Sequence, residues 1–258
     1  MKRIRLDLLL VERELVDSRS LAQRIIMAGQ VRVNGEILLK PSVNVDDSVT
    51  VQLDRGPRYV SRGGDKLAEA LRLFNLNVND LVCADVGAST GGFTDCLLQN
   101  GARRVYAIDV GKGILHWKIR QDNRVVVMEQ TNARYVERLP EEIRLASIDA
   151  SFISLKTILP VVKNWMSNPG EVISLIKPQF EAGRKDVSRG DGVIRDPEIH
   201  QRVLIDVLSF AQTLGFALKG LIRSPLLGPK GNTEFLAWLS IPGGDITVEE
   251  LVRTAMIK

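Results

Sequence analysis

The stretch Leu81-Val-Cys-Ala-Asp85-Val-Gly87-Ala-Ser-Thr-Gly91-Gly92-Phe93-Thr94 decides the fold. An apolar, β-branched run ends at an acid, passes through a loop of small residues and opens a helical pattern carried by Phe93, Leu97 and Leu98. This order predicts a first strand, a tight turn and a first helix of an α/β domain. Glycine lets backbone approach a ligand closely, and a helix N-terminus presents unpaired N–H groups. The spacing G-x-x-x-G-G differs from the dinucleotide fingerprint G-x-G-x-x-G. A second strand, Val105-Tyr-Ala-Ile108, ends at Asp109. An acid about 20 residues past such a loop suits a pair of ribose hydroxyls. The pattern therefore points to a nucleoside-bearing cofactor, and S-adenosylmethionine fits it better than NAD.

Downstream, the segments alternate as strand and helix. Arg124–Met128 reads as a third strand followed by Thr131-Asn132-Ala-Arg134, and Leu145–Asp149 as a fourth followed by Ala-Ser-Phe152. Glu171–Ile176 is a fifth, ending at Lys177-Pro178, and a helix runs from about Pro197 to Leu214. Two late strands, Ala217–Ser224 and Glu234–Ile241, precede a helical pattern over Thr247–Met256. Such alternation predicts an open, parallel sheet that binds its ligands at the carboxyl edge of the strands. Asp85, Asp109, Asn132, Asp149 and Lys177 all fall at that edge.

Upstream of the deciding stretch, residues 1–54 read as a separate unit and 55–60 as a polar linker, leaving 61–258 for the α/β domain. Leu6, Leu9 and Leu10 give one helix an apolar face. Ser18 is a suitable N-cap for a second helix that stops at Gly29. Asn34-Gly35 between Val31-Arg-Val33 and Glu36 is a hairpin signal. Residues 1–40 hold eight Lys and Arg against five acids. Arg3, Arg5, Arg19, Arg24 and Lys40 are the candidates for phosphate contact. After the linker, Ser61-Arg62-Gly63-Gly64-Asp65-Lys66 opens a helix. A lysine in a first turn opposes the helix dipole, so Lys66 is either a surface residue or a site residue.

The whole chain has 258 residues, 45% hydrophobic, with a net charge of +4. That permits nucleic-acid binding without establishing it. No apolar run approaches the length of a membrane span. The N-terminal segment lacks the apolar core of a signal peptide. The two cysteines, Cys83 and Cys96, sit in a strand and a helix as small core residues. No cluster has metal-ligand spacing, so no metal is expected. A reducing cytoplasm is the expected compartment.

The edge residues suggest a chemistry. A lysine ending a dry strand bears a penalty on its charged form, which suits Lys177 to accept a proton. Asp149 can orient it, and Glu234 can fix a second ammonium. Such a set could remove the proton of a ribose 2′-hydroxyl as it attacks a sulfonium methyl, with positioning doing most of the work.

The N-terminal unit resembles the S4 RNA-binding domain, on Arg5-Leu-Asp7, Ser18-Arg19-Ser20, Ala28-Gly29-Gln-Val-Arg-Val-Asn34-Gly35 and Lys40-Pro41. Lys66, Asp149, Lys177 and Glu234 match the Lys-Asp-Lys-Glu tetrad of FtsJ-like ribose 2′-O-methyltransferases. Together the two parts resemble the TlyA, or hemolysin A, family of ribosomal RNA methyltransferases. Ser61-Arg62-Gly63, Thr131-Asn-Ala-Arg134, Asp149-Ala-Ser-Phe-Ile-Ser154 and Lys177-Pro-Gln-Phe-Glu181 are further matching motifs. The resemblance implies a Rossmann-like class I methyltransferase fold, an α/β domain with a seven-stranded, mostly parallel sheet, behind a small α+β S4-like domain. It implies S-adenosylmethionine as cofactor, cytidine 2′-O-methylation, and ribosomal RNA or ribosomal subunits as partner, with no membrane required.

Residue by residue, the resemblance puts Asp85, Gly87, Ala88, Ser89, Gly91, Gly92 and Phe93 against the cofactor. Asp109 would hold its ribose, Asn132 would lie near its adenine, and Asp149 and Phe152 would line the pocket. Lys177 would be the base, with Lys66, Asp149 and Glu234 orienting it and the substrate. Arg62, Arg134, Arg184, Lys185 and Arg189 would face RNA. Three competing readings are a membrane-active haemolysin, a non-catalytic RNA-binding protein that keeps the fold, and an NAD-dependent enzyme. The absence of a span, the intact tetrad and the missing dinucleotide fingerprint argue against them in turn.

Overall fold

In the computed structural model, which describes residues 3–54, 56–183, 186–187, 190–242 and 246–257, strand Arg3–Arg5 (β1) runs straight into helix Leu6–Glu12 (α1). Leu6, Leu9 and Leu10 recur at helical spacing and all three are buried. Ser18 caps the next helix, Arg19–Met27 (α2), by accepting a hydrogen bond from the Leu21 amide at 3.3 Å. Val31–Val33 (β2) and Glu36–Ile37 (β3) form the expected hairpin. Its two turn residues, Asn34 and Gly35, have φ of 50° and 88°, the positive pair that a type I′ turn requires. Asn44–Asp46 (β4) pairs antiparallel with β1, and Val51–Leu53 (β5) pairs antiparallel with β2. Leu6, Leu10, Ile26 and Val31 anchor a core made only of this unit's side chains. Burying each one stabilises the unit by about 1.5–3 kcal/mol.

Contacts divide the chain into two units, Met1–Arg58 and Tyr59–Lys258. The second begins inside the expected linker. Tyr59 is buried in the larger unit's core, and the Val60 amide donates to Asp95 Oδ2 at 2.9 Å. An aromatic ring that can be covered does not stay in a solvated linker.

The larger unit opens with Gly63–Leu73 (α3). Val82–Val86 (β6), Gly92–Gln99 (α4), Arg104–Ile108 (β7), Trp117–Arg120 (α5) and Val125–Met128 (β8) follow. Ile143–Ile148 (β9), Leu155–Trp165 (α6), Met166–Ile176 (β10) and Pro178–Glu181 (α7) continue the alternation. Pro197–Thr213 (α8), Ala217–Arg223 (β11), Phe235–Ile241 (β12) and Val248–Ile257 (α9) complete it.

The described strands of this unit form one seven-stranded sheet in the order β11-β12-β10-β9-β6-β7-β8. The five strands from β10 to β8 are parallel, and β12 runs antiparallel to both of its neighbours. Every residue of β6 is buried, as expected of a central parallel strand covered on both faces. Alternate residues of β6 enter two different cores: Val82, Ala84 and Val86 pack with α6, α8 and α9, whereas Cys83 packs with α3 and α4. β10 starts at Met166, ahead of the Glu171 that the apolar pattern marks. Met166 pairs with Ile143 of β9, and a register shift before Glu171 absorbs the polar Ser167-Asn-Pro-Gly run. Because β6 to β10 are parallel, the residues that follow them are gathered at one edge.

Candidate active site

The turn after β6 is built for close approach. Gly87 has φ of 83°, and a Cβ added there would lie 2.7 Å from the carbonyl oxygen of Asp149. Only glycine meets both conditions. The Gly87 and Ala88 amides both donate to Ile108 O, at 2.9 and 3.1 Å. The Ser89 amide donates to Asp109 Oδ2 at 2.8 Å, and the Gly111 amide to Asp109 Oδ1 at 2.7 Å. The loop is thereby tied to the end of β7. Below it, Asp85 is fully buried. Its carboxylate accepts from Thr94 Oγ1 at 2.6 Å and Ser147 Oγ at 3.2 Å, and burial pushes its carboxyl up to about 7.

Four chain segments bring two lysines and two acids together. The Lys177 ammonium, at the end of β10, lies 2.6 Å from Asp149 Oδ1 at the end of β9, and also donates to Ser151 Oγ at 3.0 Å and Asp149 O at 3.4 Å. It sits 5.6 Å from the centroid of the Phe180 ring, within cation–π range. Lys66, from the first turn of α3, lies 2.5 Å from Glu234 Oε2, just before β12. Gln179 Nε2 donates to the other Glu234 oxygen at 3.3 Å. Each lysine side chain is only 10% exposed, so Lys66 is not a surface residue. Burial raises the Asp149 carboxyl, while the Lys177 and Lys66 charges draw it back.

A cavity of about 960 Å³ joins the two parts. Gly87, Ala88, Ser89, Gly92 and Phe93 line one side, and Lys66, Asp149, Lys177 and Glu234 line the other. Phe152 stands at the wall with φ of 62°, is 90% exposed, and has its ring centroid 4.8 Å from that of Phe180. The family model for FtsJ-like methyltransferases matches residues 59–241, the segment that carries this whole arrangement.

The chain belongs to the FtsJ-like methyltransferase family.

The S4 domain model matches residues 4–51 in front of it. Relatives share both parts. YqxC of Bacillus subtilis (strain 168), described as an rRNA methyltransferase, is 48% identical over 264 residues, covering 100% of this chain and 92% of its own. The 16S/23S rRNA (cytidine-2′-O)-methyltransferase TlyA of Mycobacterium tuberculosis is 45% identical over 242 residues, covering 92% and 90%. A solved structure described as that of a hemolysin from Streptococcus thermophilus superposes with a TM-score of 0.73 at 47% identity, covering 99% of this chain and 96% of that one. Among the described residues of this FtsJ-like chain, no helix is long and apolar enough to cross a membrane.

The structure sorts the residues that the sequence nominated. Gly87, Ala88, Ser89, Gly92, Phe93, Asp149 and Phe152 line the cavity. Asp85 does not: it is sealed beneath the loop, where its hydrogen bonds brace β6 against β9 and α4. Asp85 thus stands behind the residues that line the cavity. Gly91 also faces away, onto Leu115 and Ile119. Asp109 and Asn132 lie outside the cavity lining, and Asn132 Oδ1 accepts from the Arg134 amide at 3.1 Å.

Of the basic candidates, Arg62 lines the cavity and Arg134 is exposed, its guanidinium 5.5 Å from the centroid of the Tyr135 ring. Arg184, Lys185 and Arg189 lie outside the described residues. In the small unit, Arg3, Arg24 and Lys40 are exposed. Arg5 and Arg19 instead meet on the buried Asp7: Arg5 binds it through two nitrogens at 3.0 and 2.9 Å, and Arg19 at 3.0 Å. Their side chains remain 38% and 51% exposed. Residues that sequence reasoning missed include Ser151, the hydroxyl on Lys177, and Glu181. The Glu181 carboxylate takes Ser154 Oγ at 2.6 Å and the Leu155 amide at 2.8 Å, linking the segment after β10 to the start of α6. The signal for Glu181 was its place in Lys177-Pro-Gln-Phe-Glu181.

Proposed function

We propose that this chain transfers a methyl group from S-adenosylmethionine to the ribose 2′-hydroxyl of a cytidine in ribosomal RNA. The observation that carries this reading is the Lys177–Asp149 contact of 2.6 Å in the wall of a cavity whose other side is the glycine turn. The TlyA relative is described as a 16S/23S rRNA (cytidine-2′-O)-methyltransferase, and its description supports the substrate.

The residues fit the methyl donor. At Gly87 a side chain would close the space against Asp149 O, so the bare backbone there leaves room for the donor. Gly87, Ala88, Ser89, Gly92 and Phe93 would hold the donor, with Asp109 and Asn132 at its nucleoside end. When bound, the donor supplies an electrophilic methyl on a sulfonium and leaves as a neutral thioether.

The chain's own residues supply the base. In its neutral form, after giving one proton to solvent, Lys177 Nζ takes the 2′-hydroxyl proton, and the ammonium so formed is met by Asp149 Oδ1 and Ser151 Oγ, the contacts it makes in this structure. A preorganised partner for the charge that develops lowers the barrier without reorganisation. Asp149 thus matches the product of proton transfer, and the Lys66–Glu234 pair lines the cavity beside it, where the ribose enters. Phe152, exposed beside Phe180, offers a face for a nucleotide that has left its stack. The exposed Arg3, Arg24 and Lys40, with the outer faces of Arg5 and Arg19, contact RNA phosphates. This activity belongs in the cytoplasm, with the ribosomal RNA.

The test is to incubate the protein with S-adenosylmethionine and unmodified ribosomal subunits, then digest the RNA to nucleosides and separate them by mass. The expected product is cytidine methylated on the ribose. A methyl group on the base, or none on either subunit's RNA, contradicts the reading.

A further inference from the structure

The loop after β7 is held by a residue that the proton-transfer scheme does not use. Glu129 follows β8, and its side chain is 14% exposed. Its Oε2 accepts from the Gly113 amide at 2.8 Å, and its Oε1 accepts from the Ile114 and Leu115 amides at 3.0 and 3.1 Å. Arg120 of α5 donates to Oε1 at 2.6 Å. Three consecutive amides on one carboxylate make a cradle of charge-assisted hydrogen bonds. The Gly113 amide first, then the Leu115 amide and Arg120, hold the Glu129 carboxyl down at about 2.

The gathered loop is the floor of the glycine turn. A Cβ added at Gly91, where φ is 96°, would lie 2.9 Å from Leu115 Cδ1. The His116 amide donates to Thr90 O at 3.1 Å. On the near side, Asp109 bridges the Gly111 and Ser89 amides. Thr90 and Gly91 therefore rest on the segment that Glu129 fixes, and Ser89 is tied through Asp109 to the start of the same loop, although Glu129 itself does not line the cavity.

We propose that Glu129 is a positioning residue of the methyl-donor site, setting the shape of the Ser89–Gly91 turn through Leu115 and His116. The inference rests on the methyl-donor reading above and assigns a determinant of donor affinity that never touches the donor. Loss of the cradle frees three amides to turn toward water, and the turn above them loses its support. The penalty falls on binding and spares the chemical step, because Lys177 and Asp149 are carried by other strands.

The experiment compares the parent, Glu129→Gln and Glu129→Ala by calorimetric titration with S-adenosylhomocysteine, and by initial rates. The expected result is a dissociation constant raised about tenfold in the alanine variant and about threefold in the glutamine variant, as displacement of a binding loop would give. KM for the methyl donor should rise in parallel, with kcat at saturation and KM for RNA within about twofold of the parent. Amide hydrogen exchange at residues 113–115 should speed up in the same order. An unchanged dissociation constant accompanied only by a lower melting temperature would show that Glu129 merely stabilises the fold, and would overturn the proposal. A fall in kcat at saturation with binding intact would overturn it too. Failure of the parent itself to bind would overturn the methyl-donor reading, and the proposal with it.

Discussion

Asp7 in the small unit and Asp149 in the large one both meet cations, and they are tuned in opposite directions. Asp7 in the small unit is fully buried, yet its carboxyl is held well below the usual carboxylate range, first by Arg5 and then, against burial, by Gln23 and Arg19. Asp149 in the large unit has Lys177 at 2.6 Å, but burial wins and its carboxyl is raised. The difference lies in the count and kind of donors. Asp7 receives two nitrogens of one guanidinium, a second guanidinium and an amide, and hydrogen bonds to the charged form outweigh desolvation. Asp149 shares one lysine with a serine in an enclosed wall. The first acid is a fixed anchor. The second responds to where a proton sits, as a partner in proton transfer must.

Breaking the responsive acid should have the largest effect. Asp149→Asn removes the charge that meets the Lys177 ammonium, and kcat should fall about 10²–10³-fold with donor binding retained, on the scale of losing one preorganised electrostatic partner. The parent's rate should also carry the sign of the shift. The Asp149 carboxyl is raised, so on acidification it takes up a proton at a higher pH than an ordinary carboxylate of about 3.9. The rate should therefore fall on the acid side with a midpoint above that value. A limb at or below it would break the contrast with Asp7.

Gly87→Ala should come next. The added methyl meets Asp149 O at a positive φ, so S-adenosylhomocysteine binding should weaken about tenfold or more, with strain of about 1–3 kcal/mol. Unaltered binding by calorimetry would mean that the turn is not where the donor lies.

Asp7→Asn should affect stability. Its folded-state pKa is depressed, so the stabilisation is present above the unfolded value of about 3.9 and is lost as the pH falls through the folded value. At pH 7 urea unfolding of the variant should be easier by about 1–3 kcal/mol, and the gap to the parent should begin to close as the pH drops below about 4. A gap that is constant with pH would show packing alone.

The smallest effect belongs to the exposed cations of the small unit. Arg24→Ala should weaken binding to ribosomal RNA a few-fold and lower the salt slope of binding by about 1. The rate at saturating RNA should not change.

What was legible in the sequence was what the backbone dictates. Asp85-Val-Gly87-Ala-Ser-Thr-Gly91-Gly92 names a strand, a turn with positive φ and a helix start, and parallel strands must deliver Asp109, Asp149 and Lys177 to one edge. The Asn34-Gly35 hairpin was legible for the same reason. The Asp149–Lys177 partnership was legible too, because both end neighbouring strands; that Lys66 brings the ammonium for Glu234 follows from α3 meeting the start of β12, which no spacing encodes. Asp85 looked like a ligand because it stands near the carboxyl end of its strand, but its carboxylate is taken up by Ser147 of β9 and Thr94 of α4. Arg5 and Arg19 looked free for phosphate because Asp7 reads as one more helical acid. Its burial exists only once α1 packs on α2. Glu129 was invisible because three of its partners are backbone amides, which carry no sequence signature at all.

The most direct test of proton transfer by Lys177 is a single-turnover measurement with the parent and Lys177→Ala, both saturated with S-adenosylmethionine and the same ribosomal subunit. Removal of a general base should slow methyl transfer to the ribose about 10²–10⁴-fold, while the dissociation constant for S-adenosylhomocysteine stays within about twofold. Transfer by Lys177→Ala at the parental rate would contradict the assignment of Lys177 as the base.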